Sequence, residues 1–299
     1  MFLPCQRCQR DLAALAEAPL PLDRVQPTLN NRFRKFPSMI RWIAVAALFA
    51  VATGCNLGCN RGLPPAILLA NHNPASQVRY TQIDPATAGT IIGTIHFAGA
   101  APRRIAIDMT PYPACAYASK TPNLSEQYVV HNGRLANVFV YVQAGLGAKR
   151  YAPPTTPVVI DQKGCRYVPH VIGVMAGQPV EFHNSDPTLH NIHAASITPG
   201  NPEFDISQPP MGGAQQHIFA MPELMIPLRC DLHPWMEAYV NVASSPFYAV
   251  SDADGHFEIK GLPPGTYTIA AVHEKLASKV MQVTVPAKST VQANFIFRK

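Results

Sequence analysis

Within the C-terminal third of the chain, Arg229-Cys230-Asp231-Leu232-His233-Pro234-Trp235-Met236 carries three metal donors at intervals of three residues. A thiolate, an imidazole and a thioether so spaced fit on one short loop. Thiolate and thioether are soft and favour Cu(I), while imidazole keeps Cu(II) acceptable. A trigonal plane needs a second imidazole from another segment. Asn184-Ser185-Asp186-Pro187-Thr188-Leu189-His190-Asn191 supplies it, downstream of Gly177-Gln178-Pro179-Val180-Glu181-Phe182, a glycine turn feeding a strand. His190, Cys230, His233 and Met236 are therefore the expected ligands of one type 1 copper, with Met236 as the weak axial donor. Zinc suits the set less well, because zinc sites draw on Cys, His and carboxylates and rarely on Met. The plainer reading is a buried cysteine beside a surface histidine, with Met236 in a core.

Other titratable clusters are weaker candidates. His190 and His193 point to opposite faces of an extended strand, which puts His193 at the surface. His170, His183 and His217 read as structural or exposed. Asp252-x-Asp254-Gly255 opens like a calcium loop, but its twelfth position is Pro263 rather than a bidentate Glu, so it reads as a turn. His273-Glu274 has no nucleophile beside it. No paired H-x-H motifs of a multicopper oxidase and no hydrolase triad occur. The expectation is a carrier and not an enzyme.

The elements that must position these residues are strands. From Gly89 onward, short alternating runs are bounded by Gly, Pro, Asn and Asp. They are Thr90–Phe97, Leu135–Val142, Val158–Ile160, Val171–Met175, Pro179–His183, Leu224–Cys230, Ala238–Val242, His256–Lys260, Tyr267–Val272, Val280–Val285 and Val291–Phe297. No long helical pattern follows residue 55. The thirty prolines suit turn-rich β structure, and an all-β sandwich architecture is expected.

Two resemblances sharpen this. From about Gly164 to Val242 the order of strands, the N-x-D with H-N, and C-x2-H-x2-M before a final strand resemble a cupredoxin with the short amicyanin-type loop. The resemblance implies a Greek-key β-sandwich, His190 and His233 as imidazole ligands, Cys230 as the thiolate and Met236 as the axial donor. It also implies that Asn191 ties the two ligand loops together. An outer-sphere carrier of this type would bring the His233 ring edge to the surface, framed by Pro187, Leu189, Pro234 and Trp235, where a redox partner protein docks. The tail, Ser251-Asp252-Ala253-Asp254-Gly255-His256-Phe257 followed by Gly261-Leu262-Pro263-Pro264-Gly265-Thr266-Tyr267, resembles the carboxypeptidase regulatory-like, transthyretin-like sandwich. The combination is similar to bacterial exported proteins of a methylamine-utilisation-like group.

Residues 246–299 are too few for a sandwich of about 100 residues. The missing strands have counterparts in Gly89–Phe97 and Ala136–Val142. The expected organisation is one Ig/transthyretin-like sandwich built from 88–150 plus 246–299, with a cupredoxin domain, 151–245, inserted between its strands. The alternative is one domain after another with the tail as a fragment. A non-redox copper-binding or cell-envelope adhesion module is the other functional class.

The remaining features concern export. Trp42 to Ala52 is an apolar run of eleven residues behind a basic stretch, short for a membrane span and right for a signal peptide. Ala52-Thr53-Gly54-Cys55 resembles a bacterial lipoprotein cleavage site, with Ala52 in place of the usual Leu. Residues 1–54 are then a signal peptide with a long N-terminal extension, and 55–87 a tether from a lipidated Cys55. An ordinary signal peptide is the alternative. The leader holds seven of the basic residues and three of the acidic ones, leaving +2 for the rest and no basic stripe, so nucleic-acid binding is not expected. Contact with a membrane would run only through Cys55. Export permits disulfides, and with Cys230 committed to metal the expected pair is Cys115 with Cys165.

Overall fold

The computed structural model describes residues 78–119 and 121–299. The expected leader, Cys55 and most of the tether lie outside the described residues. The described part is almost entirely strand, with one short helix, Pro113–Ala118. Among the described residues no helix is long and apolar enough to cross a membrane.

Two sandwiches are present, each of two sheets. In the first, Gly89–Phe97 is the hub of one sheet. It pairs antiparallel with His256–Leu262 and Arg134–Leu135, and parallel with Thr290–Gln292 and Phe295–Phe297. Ile91, Ile95 and Phe97 point inward with the period of two that a half-buried strand requires. Gly93 lies on the same inward row, where a Cβ would meet the Ala293 carbonyl oxygen at 1.8 Å and the Phe257 ring at 2.5 Å. The glycine in TIIGTIHF is thus a close-approach residue. The facing sheet runs Tyr248–Val250, Phe139–Ala144, Gly265–His273 and Leu276–Val285, all antiparallel. Strands from either side of residues 151–245 therefore share sheets and one apolar core.

The second sandwich uses strands between 158 and 243. One sheet orders Phe204–Gln208, His190–Ala194, Glu223–Arg229, Glu237–Ala243 and Val171–Met175. The other orders Gln215–Ile218, Pro179–Asn184, Val158–Gln162 and Tyr167–Val168. Its core includes Ile160, Tyr167, Val180, Phe182, Ile192, Phe219, Leu228 and Val240.

Two expected strands are divided. Leu135 and Phe139 fall in different sheets, because Asn137 takes φ of 62° and swings the chain from one sheet to the other. Asn tolerates this left-handed region better than a β-branched residue. The run Val291–Phe297 breaks at Ala293-Asn294, where the Asn294 side chain accepts the Thr94 N–H in place of a ladder bond. Strands at Phe204–Gln208 and Gln215–Ile218 were not evident in the sequence, since polar residues dominate both.

The segment between Gly89–Phe97 and Val130–His131 leaves the first sandwich and lies on the second. Ile107 N–H donates to Asn123 and Ser125 N–H to Ile105, so the arm doubles back on itself. Met109 and Cys115 are buried in the second core, and Cys115 is joined to Cys165 by a disulfide. Asn123 donates to the Gly164 carbonyl at 2.8 Å.

Candidate metal centre

Two turns in succession shape the ligand loop. His233 N–H donates to the Cys230 carbonyl at 3.3 Å, and Met236 N–H to the His233 carbonyl at 2.8 Å. The loop leaves strand Glu223–Arg229 and returns as Glu237–Ala243, with Arg229 opposite Glu237. The pairing clamps both ends, and all of Cys230, His233 and Met236 are buried. His190 opens strand His190–Ala194, which lies beside Glu223–Arg229, and is fully buried.

Three of the expected ligands, His190, Cys230 and His233, thus converge from one loop and one neighbouring strand end, and Met236 lies on the same loop. His190 Nδ1 is 3.0 Å from His233 Nδ1, and Cys230 Sγ is 3.5 Å from His233 Nδ1. The donor atoms of His190, Cys230 and His233 all lie within 4.8 Å of one another. Met236 is buried in the core that borders them.

Electrostatics prepare each donor. Asp186 accepts the His190 Nε2–H at 3.0 Å and also the backbone N–H groups of Gly164 and Cys165, both at 2.7 Å. That bond holds a proton on Nε2 and turns Nδ1 toward His233 and Cys230, where a metal ion would take the place of a second proton. Burial works against a charged His190, but the hydrogen bonds and charges of Asp186 and Cys230 outweigh it and raise its pKa. Burial, and then the like charge of His190, lower the pKa of His233, which favours a neutral imidazole. Burial opposes ionisation of Cys230, but His190 and the backbone N–H groups of Asn191, Leu232 and His233 outweigh it and lower its pKa. A cysteine eased toward the thiolate, two imidazoles whose Nδ1 atoms face inward and a buried methionine on the same loop are a chemically coherent donor set for a single soft, redox-active ion.

Asn191 joins the two ligand segments. Its Oδ1 accepts the Asp231 N–H at 2.8 Å, and its Nδ2 donates to the carboxylates of Asp231 at 3.0 Å and Asp205 at 2.9 Å. The Tyr167 hydroxyl donates to its carbonyl. His193 faces outward between Glu203 and Asp231.

The surroundings of His233 differ from the expectation. Its ring edge does not open to solvent, because Tyr112 packs edge-on against it at 5.3 Å between centroids. Tyr112 also meets Trp235 edge-on at 4.9 Å. Trp235 is half-buried and donates its indole N–H to the Cys165 carbonyl at 2.9 Å. Of the proposed docking residues, Pro187, Leu189 and Pro234 are exposed. The cover arises because the disulfide pins the arm over the loop, with the half-cystine sulfurs of Cys115 and Cys165 within 4.8 Å of a His233 ring nitrogen. Sequence reading missed Tyr112 and Asp186. The second had a signal, since a carboxylate four residues before a ligand histidine can orient it. Tyr112 had none, because its contact spans 121 positions of chain and depends on the disulfide.

Residues 233–298 match the model of the carboxypeptidase regulatory-like domain. The match falls on the tail that the sequence motifs single out. Among solved structures the chain is similar to a Cu-containing nitrite reductase from Thermus scotoductus SA-01, at 23% identity over 34% of this chain and 25% of that one, with a TM-score of 0.28. The chain therefore spans about a quarter of the reductase. A purple cupredoxin from Nitrosopumilus maritimus is 21% identical over 29% of this chain and 99% of its own, with a TM-score of 0.24. A Cu(I) form of an amicyanin mutant is 19% identical over 35% of this chain and 98% of its own, with a TM-score of 0.27. No curated protein matches the chain.

Proposed function

We propose that this is an exported protein that binds one type 1 copper ion through His190, Cys230, His233 and Met236 and carries single electrons to and from a redox partner protein. The observation that carries the reading is the convergence of two imidazole Nδ1 atoms and a thiol in a buried pocket, at 3.0 and 3.5 Å. Copper in such a set cycles between Cu(II) and Cu(I) with little rearrangement. The chain's own part is to hold the donors in place through Asp186 and Asn191 and to exclude water through burial. Export to the periplasm or cell envelope, with an anchor at Cys55, belongs to the same proposal.

With His233 covered, the shortest aromatic path outward runs through Tyr112 and Trp235, whose ring centroids lie 5.3 and 5.4 Å from His233. The docking face then includes Pro234 and Leu189 together with the Tyr112 arm. Copper-loaded protein should be bleached by a mild one-electron reductant and restored by a mild oxidant over repeated cycles. Copper that stays oxidised, or is lost on reduction, would point to the non-redox binding module instead.

A further inference from the structure

Glu274 and His170 form a buried acid–base pair between the two sandwiches. Glu274 sits in the turn between Gly265–His273 and Leu276–Val285, in the regulatory-like sandwich. Its side chain is 1% exposed and that of His170 is 5% exposed. His170 precedes strand Val171–Met175 of the other sandwich. Its Nε2 lies 2.7 Å from Glu274 Oε1, and its Nδ1 lies 3.0 Å from the Glu237 carbonyl oxygen. A carboxylate and a carbonyl only accept, so both ring nitrogens donate and the ring is an imidazolium. The second oxygen of Glu274 makes no hydrogen bond of good geometry; the Lys275 ammonium lies 3.3 Å from it, and the Tyr239 hydroxyl also neighbours the carboxylate.

The position of the second bond gives the pair its meaning. Glu237 directly follows Met236, and it is where the ligand loop rejoins its sheet. Tyr239 N–H donates to the His170 carbonyl at 2.8 Å, so the imidazole and the backbone of one residue grip the chain at 237 and 239. The Tyr239 ring also lies edge-on to His170 at 5.6 Å. A charged pair held dry carries a desolvation cost, and its best-attested use is to fix one arrangement among several. Here the arrangement fixed is the exit of the ligand loop.

We propose that Glu274, acting through His170 and the Glu237 carbonyl, is a positioning residue for Met236, so that the regulatory-like sandwich sets the axial side of the metal site. The proposal rests on the copper reading for its redox consequence and stands apart from it in its structural one. A looser Met236 donates less to Cu(II), which raises the reduction potential.

The test compares the wild-type protein with Glu274→Ala and Glu274→Gln. In Glu274→Gln the amide can donate to His170 Nε2 while Nδ1–H still reaches Glu237, so the link survives without the charge. In metal-free protein, amide exchange at Met236 and Tyr239 should quicken about tenfold in Glu274→Ala and stay near wild type in Glu274→Gln. In copper-loaded protein the Cu(II)/Cu(I) affinity ratio should fall about tenfold in Glu274→Ala, a rise of about 59 mV for a one-electron couple, with near-complete rescue in Glu274→Gln. Should Glu274→Ala fold poorly, Glu274→Met fills the volume without an acceptor and is read the same way. Lower thermal stability with unchanged exchange at 236 and 239 and an unchanged potential would overturn the proposal. Absence of any thiolate-to-copper absorption in the wild type would instead overturn the copper reading, and the exchange measurement would still decide the link.

Discussion

The chemistry of the site resides in a few side chains whose neighbours decide their protonation. Asp186 is the clearest case, since it holds the Nε2 proton of His190 and so points Nδ1 inward. Replacing Asp186 with Ala should weaken copper affinity about 10- to 100-fold, the usual effect of losing the group that orients a ligand histidine. Competition against a chromophoric chelator would measure it, and unchanged affinity would show that the carboxylate serves only the Gly164 and Cys165 amides. At this scale the sequence was informative. Donor type and spacing alone bring together His190, Cys230, His233 and Met236, because three of them share one eight-residue loop. Asn191 was legible from its place beside His190. What was not legible is which group meets the far side of each ring, since Asp186 and Tyr112 act through contacts that no local period encodes.

Elements hold these residues by pairing and by one covalent link. The ligand loop is clamped because Arg229 and Glu237 are partners in a ladder, and the arm is clamped because Cys115 and Cys165 are joined. The double replacement Cys115→Ser/Cys165→Ser should lower stability by about 2–5 kcal/mol, read from denaturant midpoints, and should expose His233 to small external ligands such as azide. A variant of wild-type stability with a closed site would show that packing of Met109 and Tyr112 suffices. Strands of strict alternation, such as Gly89–Phe97, were readable from sequence. The two expected strands that divide do so at Asn137 and at Ala293-Asn294, where one residue redirects the chain while the apolar pattern continues across the break. The arm read as part of the first sandwich because its connectivity lies there, whereas its burial lies in the second.

Across the whole molecule, strands from 89–144 and from 248–297 share sheets, and those from 158–243 form sheets of their own. We propose that the second group is a domain carried between the strands of the first, the arrangement expected from a tail too short to close a sandwich. Two buried histidines give the molecule a pH profile. Burial lowers the pKa of His273 to about 4 from 6.5, and its Nε2 has no partner. Its folded value lies below its unfolded one, so its contribution to stability is complete above pH 6.5 and is lost as pH falls through about 4. The loss amounts to on the order of 3 kcal/mol. A His273→Gln variant should show a flatter acid limb in denaturant titrations between pH 6.5 and 4, and an identical limb would assign the acid sensitivity to other groups. His170 runs the other way. Burial opposes its charge, but Glu274 outweighs burial and raises its pKa, so its contribution fades as pH rises past that value. The proposed copper site turns on Cys230 as a thiolate ligand. The most direct measurement is the visible spectrum of the Cu(II)-loaded protein beside that of Cys230→Ser. An intense thiolate-to-copper absorption is expected in the first and none in the second. Its absence from the wild type, or its survival in the variant, would rule out Cys230 as a type 1 copper ligand.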